Sequence, residues 1–256
     1  MKYELTDETI EIDGHILHRI RHCESNILGG WVESEKNLSQ EGDCWIYDDA
    51  WVCDNARVYG NAKIFGDAQV RDNAQVYDKA EVCGNAWVYG NAKIYEKAQV
   101  FDNAKVYGNA KVYGNAWVYD NAQVCDDAQV YENAQVYDNA QVYGNARIYG
   151  NGQVYDDAKV YGNAQVNDNA LVYDKAQVND NAWVCQNVRV YDKAKVYGNA
   201  WVYGNVWVYD NAKVFGDVQV LDNIRVSGEA RIYDRVKIFG SFNVFDGGIW
   251  SVPYGS

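Results

Sequence analysis

The chain has 256 residues, 36 Asp and Glu against 23 Lys and Arg for a net charge of −13, and one proline beside 22 glycines and 22 tyrosines. That acidic balance excludes direct binding to nucleic-acid backbones, which needs clustered Lys and Arg to displace counterions, and adhesion to anionic membrane surfaces. Neither a transmembrane run of roughly 18 apolar residues nor a signal-peptide core after Met1-Lys2-Tyr3-Glu4 is present, so a cytoplasmic location is expected.

Taken in order along the chain, residues 1–45 come first and read as a cap. Tyr3-Glu-Leu-Thr and Thr9-Ile-Glu-Ile precede Asp13-Gly14, and His15-Ile-Leu-His-Arg-Ile follows it. That is the pattern of a hairpin about a D-G turn. Its expected task is to cover the first coil of the segment that follows, because an open sheet edge invites aggregation.

Residues 46–246 are one repeat. From Ile46 to Val244 every sixth residue is Ile or Val, 34 positions without an insertion, and four residues after each comes a small residue, nearly always Ala, as at Ala50, Ala56 and Ala104. Ala and Val stand two apart with a long polar residue between them, which is the alternation of a short strand and not the period of a helix. Gly or Asp followed by Asn, as in Gly60-Asn61 and Asp138-Asn139, supplies residues that tolerate positive φ or bond to nearby backbone. One buried aliphatic per hexad does not offset the entropy of ordering six residues. Successive coils must therefore stack, pairing their backbones about 4.8 Å apart. In residues 247–256, with Phe242 and Phe245 before them, Trp250 and Tyr254 are expected to plug the far end, since the small position turns bulky at Val206, Val218, Ile224, Val236 and Phe242.

The unit V-Y-G-N-A-K, aliphatic first and small residue fifth, resembles the hexapeptide repeat of left-handed parallel β-helix proteins over about 200 residues. That resemblance implies an all-β, single-stranded, left-handed parallel β-helix, a triangular solenoid with three hexads per coil and about 11 coils, closed by the N-terminal β-hairpin. The stretches Leu28-Gly-Gly-Trp-Val-Glu, Asn37-Leu-Ser-Gln and Gly42-Asp-Cys-Trp-Ile-Tyr resemble a narrower group, the YdcK-type proteins of bacteria and phages, labelled acetyltransferases or polymer-forming proteins.

An 18-residue coil sets Asp102, Asp120, Asp138, Asp156, Asp174, Asp192 and Asp210 in one column, about 4.8 Å apart. Such carboxylates attract cations, but calcium needs six or more oxygens, and Lys105, Lys159, Lys175, Lys193, Lys195 and Lys213 stand nearby. A solvated turn ladder is the first expectation and a cation ladder the second. Beside it run Tyr119, Tyr137, Tyr155, Tyr173, Tyr191 and Tyr209, and a second column holds Tyr59, Tyr77, Tyr95, Tyr113, Tyr131 and Tyr149. Stacking that stabilises the coils and an interaction face are both open to them.

The only histidines, His15, His18 and His22, lie in the cap. His18 and His22 stand on one strand face about 13 Å apart, too far for one zinc, so all three are expected to be solvated or capping. Resemblance to hexapeptide acyltransferases implies a histidine base between subunits, and no histidine stands on the repeat. Six cysteines, Cys23, Cys44, Cys53, Cys83, Cys125 and Cys185, lack a CxxC spacing and are expected as thiols, the last four facing outward in place of Tyr. No catalytic residue and no cofactor is assigned. The function expected is a rigid acidic solenoid presenting Tyr, Asp and Asn ladders for protein binding or self-association as a dimer or trimer. The alternative is an acetyl-CoA-dependent acyltransferase with sites between subunits, by analogy of fold. Ice binding would need flat threonine arrays, and Thr6 and Thr9 are the only threonines. DNA mimicry is disfavoured because both charge signs occur on all faces.

Overall fold

In the computed structural model, residues 1–246 and the backbone of Ile249–Trp250 are described. Every regular element among them is a β-strand, so no helix is present that is long and apolar enough to cross a membrane. Within the repeat most strands are two residues long, a polar residue followed by the inward aliphatic, as in Lys63–Ile64 and Glu81–Val82. Such a strand has no stability alone and exists through its neighbours on the coils before and after. Pairing is parallel at an offset of 18 residues, for example Lys63 with Glu81 and Glu81 with Gln99. Three hexads therefore make one coil, and three parallel sheets result. A regular hexad donates three hydrogen bonds to the next coil, as from Lys63, Phe65 and Asp67 to the carbonyls of Ala80, Val82 and Gly84 at 3.0, 3.0 and 2.8 Å.

The chain divides into two compact units, residues 1–126 and 127–256. In the first, β1 (Tyr3–Ile12) and β2 (His15–His22) form the expected antiparallel hairpin, with Ile12 opposite His15. Asp13 and Gly14 have φ of +52° and +85°, the pair of positive values that a two-residue turn matched to strand twist demands. β2 then pairs antiparallel with β3 (Leu28–Val32), covering that sheet edge. β3 in turn pairs parallel with β5 (Trp51–Val52), β4 being Trp45–Ile46.

The pairing of β3 with β5 is offset by 20 residues, as is the bridge from Leu38 to Val58. From Ile46 with Ile64 onward the offset is 18. The two additional residues lie between Leu38 and Ile46, at the corner where Gln40 clamps the hairpin. Its Oε1 accepts from the backbone of Lys2 at 2.8 Å, and its Nε2 donates to the carbonyl of Tyr3 at 3.0 Å. Tyr3 is fully buried and donates its hydroxyl to the Leu38 carbonyl at 2.7 Å. The Gly29-Gly30 pair lets β3 lie this close, since a Cβ on Gly29 would stand 2.7 Å from the Ile46 carbonyl and one on Gly30 would strike that of Ala50.

The hairpin does more than pair an edge. Leu17, Trp31, Trp51 and Cys53 bury one another, with Ile10 and Ile12 packed against them. Cys53, expected to face outward like the tyrosines of its column, is thus a buried residue because the hairpin folds over it. All six cysteines are free thiols, as expected.

The second unit repeats the coil from Gln129–Val130 to Asn243–Val244. Its inward Val, Ile and Ala side chains are buried, and so are the bulkier Val188, Val206, Val218 and Ile224 at the small position. Val236 continues the series. Phe242 and Phe245, expected in a plug, keep 37% and 60% of their surface exposed, while the inward Ile238 and Val244 beside them stay buried. The plug expected of Trp250 and Tyr254 lies outside the described residues.

Candidate functional site

Each coil turns its corners at the Gly/Asp-Asn pairs. All seven aspartates of the expected column have positive φ, between +54° and +59°, the left-handed region that Asp and Asn enter more readily than other residues with a Cβ. In the second unit each carboxylate also reaches the following coil. The backbone N–H groups of Asp174, Asp192 and Asp210 donate to Oδ2 of Asp156, Asp174 and Asp192 at 3.2, 3.2 and 3.1 Å, and Gly228 donates to Asp210 at 2.9 Å. The bond goes to the next coil's backbone and not to the residue's own, an arrangement that sequence reasoning did not foresee. Asp156, Asp174, Asp192 and Asp210 line an open cleft together with Lys175 and Lys193. The neighbouring asparagines form amide ladders, Asn163 to Asn181 to Asn199 at 2.9 Å each.

The tyrosine columns are stacks. Within the second unit Tyr137, Tyr155, Tyr173, Tyr191 and Tyr209 succeed one another with ring centroids 4.8 to 5.1 Å apart and planes within 3°. Tyr119, in the first unit, stacks on Phe101 at 4.8 Å. Tyr59, Tyr77, Tyr95 and Tyr113 make a second stack in the first unit, and Tyr131 pairs with Tyr149 in the second. These tyrosines are half-buried. Hydroxyls reach back to glutamines of the next coil, Tyr137 to Gln153 at 3.3 Å and Tyr149 to Gln165 at 3.1 Å. Burial and neighbouring phenols push Tyr95 and Tyr191 up to about 12.

A third group brings together residues that the sequence keeps apart. His15 opens β2, Glu33 follows β3, and Cys53 and Asp54 follow β5. His15 Nδ1 lies 3.1 Å from Glu33 Oε1 and its Nε2 3.9 Å from Asp54 Oδ1. Cys53 Sγ donates to Asp54 Oδ2 at 3.3 Å. One ligand atom from each of the four lies within 4.8 Å of the others, and among the described residues no other three or more His, Cys, Asp and Glu converge in this way. The Glu33 hydrogen bond raises His15 above its ordinary value, and burial followed by the Asp54 hydrogen bond raises the Cys53 thiol. His18 and His22 do not join the cluster. His22 packs edge-on against Trp45 at 5.5 Å and accepts from the backbone of Glu24 and Ser25.

Comparison with known proteins bears on the coil. A family model described as the YdcK beta solenoid repeat matches residues 104–120, 140–156 and 194–210. These segments begin 36 and 54 residues apart, whole multiples of the observed 18-residue offset, so each match covers the same stretch of a coil. A search of the curated proteins finds no match. The chain is a β-solenoid repeat protein whose coils resemble the YdcK repeat.

Proposed function

We propose that this protein is a non-catalytic interaction scaffold, and that the tyrosine and aspartate columns of the second unit form a face on which a second copy of the chain docks. The observation that carries the reading is the strict repeat of that face, in which rings recur every 4.8 to 5.1 Å from Tyr137 to Tyr209 beside aspartates that recur once per 18-residue coil. A partner engaging several rungs at once must carry groups at the same interval, and a second copy has that spacing by construction. The face is also self-complementary in charge, since Lys175 and Lys193 stand beside Asp156, Asp174, Asp192 and Asp210. Two such faces can place ammonium against carboxylate while ring edges meet.

Sedimentation of the chain against a Tyr137→Ser, Tyr155→Ser, Tyr173→Ser variant tests this. A dimer or trimer that dissociates in the variant while its circular dichroism is retained supports the face. A chain that is monomeric at all concentrations overturns it. Heat on titration with acetyl-CoA would instead favour the acyltransferase alternative.

A further inference from the structure

We propose that His15, Glu33, Cys53 and Asp54 form a binding site for one divalent transition-metal ion of the zinc type, which ties the hairpin to the first coils. The donor set is one imidazole, one sulfur and two carboxylates, and the thiolate selects zinc-like metals over calcium or magnesium. Four donors around zinc at bond lengths of about 2.0 to 2.3 Å stand roughly 3.3 to 3.8 Å from one another. One ligand atom from each of the four residues already lies within 4.8 Å of the other three, so closing onto an ion needs shifts of about 1 Å.

Two further observations point the same way. The carboxylates are held from behind, Glu33 Oε2 accepting from the Asp54 backbone N–H at 2.6 Å and Asp54 Oδ2 from that of Asp72 at 3.1 Å. Outer partners of this kind orient metal ligands. The cluster also breaks the repeat where the hairpin covers it. Glu33 and Cys53 are the first two members of the column that continues through Arg71 to the stacked Tyr89 and Tyr107. A structural role alone would be served by an aromatic or aliphatic residue under the hairpin, next to Leu17 and Trp51.

Two carboxylates and a thiol gathered around one histidine suit a cation with a charge of two, which offsets their mutual repulsion. His15, Glu33 and Asp54 are each about one-third exposed, so an ion has access.

Titration of the reduced, chelator-treated full chain with cobalt(II), followed by zinc, tests the site. Expected are saturation at one cobalt per chain, a thiolate-to-cobalt charge-transfer band in the near ultraviolet, and displacement by zinc. Cys53→Ser should abolish that band, and His15→Gln should weaken binding at least 10-fold, whereas Cys125→Ser should change neither. Zinc should raise the melting temperature of the wild type and not of His15→Gln. If Cys53→Ser does not fold, His15→Gln carries the test, since His15 lies at the partly exposed start of β2. No saturable cobalt spectrum, or a thiolate band that survives Cys53→Ser, would overturn the proposal.

Discussion

At a single corner the choice between Gly and Asp is made by one dihedral angle and one amide. Asp174 has a φ of +56° and accepts the N–H of Asp192 at 3.2 Å. Alanine there keeps the Cβ that crowds the left-handed conformation and loses the acceptor, whereas glycine loses only the acceptor. Asp174→Ala should therefore be less stable than Asp174→Gly by about 1 to 2 kcal/mol, read as the difference in denaturant midpoints. Equal midpoints would contradict the role of the backbone. The tyrosines supply a pH dependence. Tyr95 and Tyr191 are raised from 10.0 to about 12. Below pH 10 the phenols are protonated folded and unfolded, and their contribution is complete. Between about 10 and 12 the unfolded chain ionises first, so stability falls as pH rises. Tyrosinate absorbance of the folded protein should lag behind that of the denatured protein, with melting temperatures falling over the same interval.

The hairpin and the first coil illustrate how an element depends on contacts that its own residues do not announce. The D-G turn and the alternation around it are legible from residues 3 to 20 because strand period and turn chemistry are local. That β2 would join β3, and lie over Trp31, Trp51 and Cys53, depends on the widened corner at Gln40. Gly30→Ala places a methyl group against the Ala50 carbonyl. Hydrogen exchange should then accelerate across residues 28–38 and leave the second unit's amides unchanged, while uniform protection would show that β3 has room for the methyl group. Deleting residues 1–22 uncovers the β3 edge together with the apolar cluster, and light scattering should report aggregation. A monodisperse truncated chain would mean that the hairpin is dispensable for solubility.

For the molecule as a whole, the coil length sets what the chain tolerates. Removing residues 145–162 excises one coil and leaves every column of the second unit in phase, so the variant should fold with its aromatic stacks intact. Removing nine residues from the same place turns the aliphatics out of register and should abolish cooperative unfolding, and a nine-residue deletion that melts like the wild type would refute the coil. The hexad, the inward Val and Ile, the all-β class and the turn residues were settled by sequence alone, because each depends on neighbours within six positions and the same choice is made 34 times. Three hexads to a coil was an inference from resemblance until pairing such as Glu81 with Gln99 fixed it, since periodicity counts residues per strand and not faces per turn. Likewise the Tyr columns became stacks, the Asp carboxylates became acceptors for the next coil, and His15, Glu33, Cys53 and Asp54 met. Apart from the adjacent Cys53 and Asp54, those contacts join residues 18 to 39 positions apart, at offsets set by the length of the coil and by where the hairpin lands, and neither quantity is written in any local stretch of the chain.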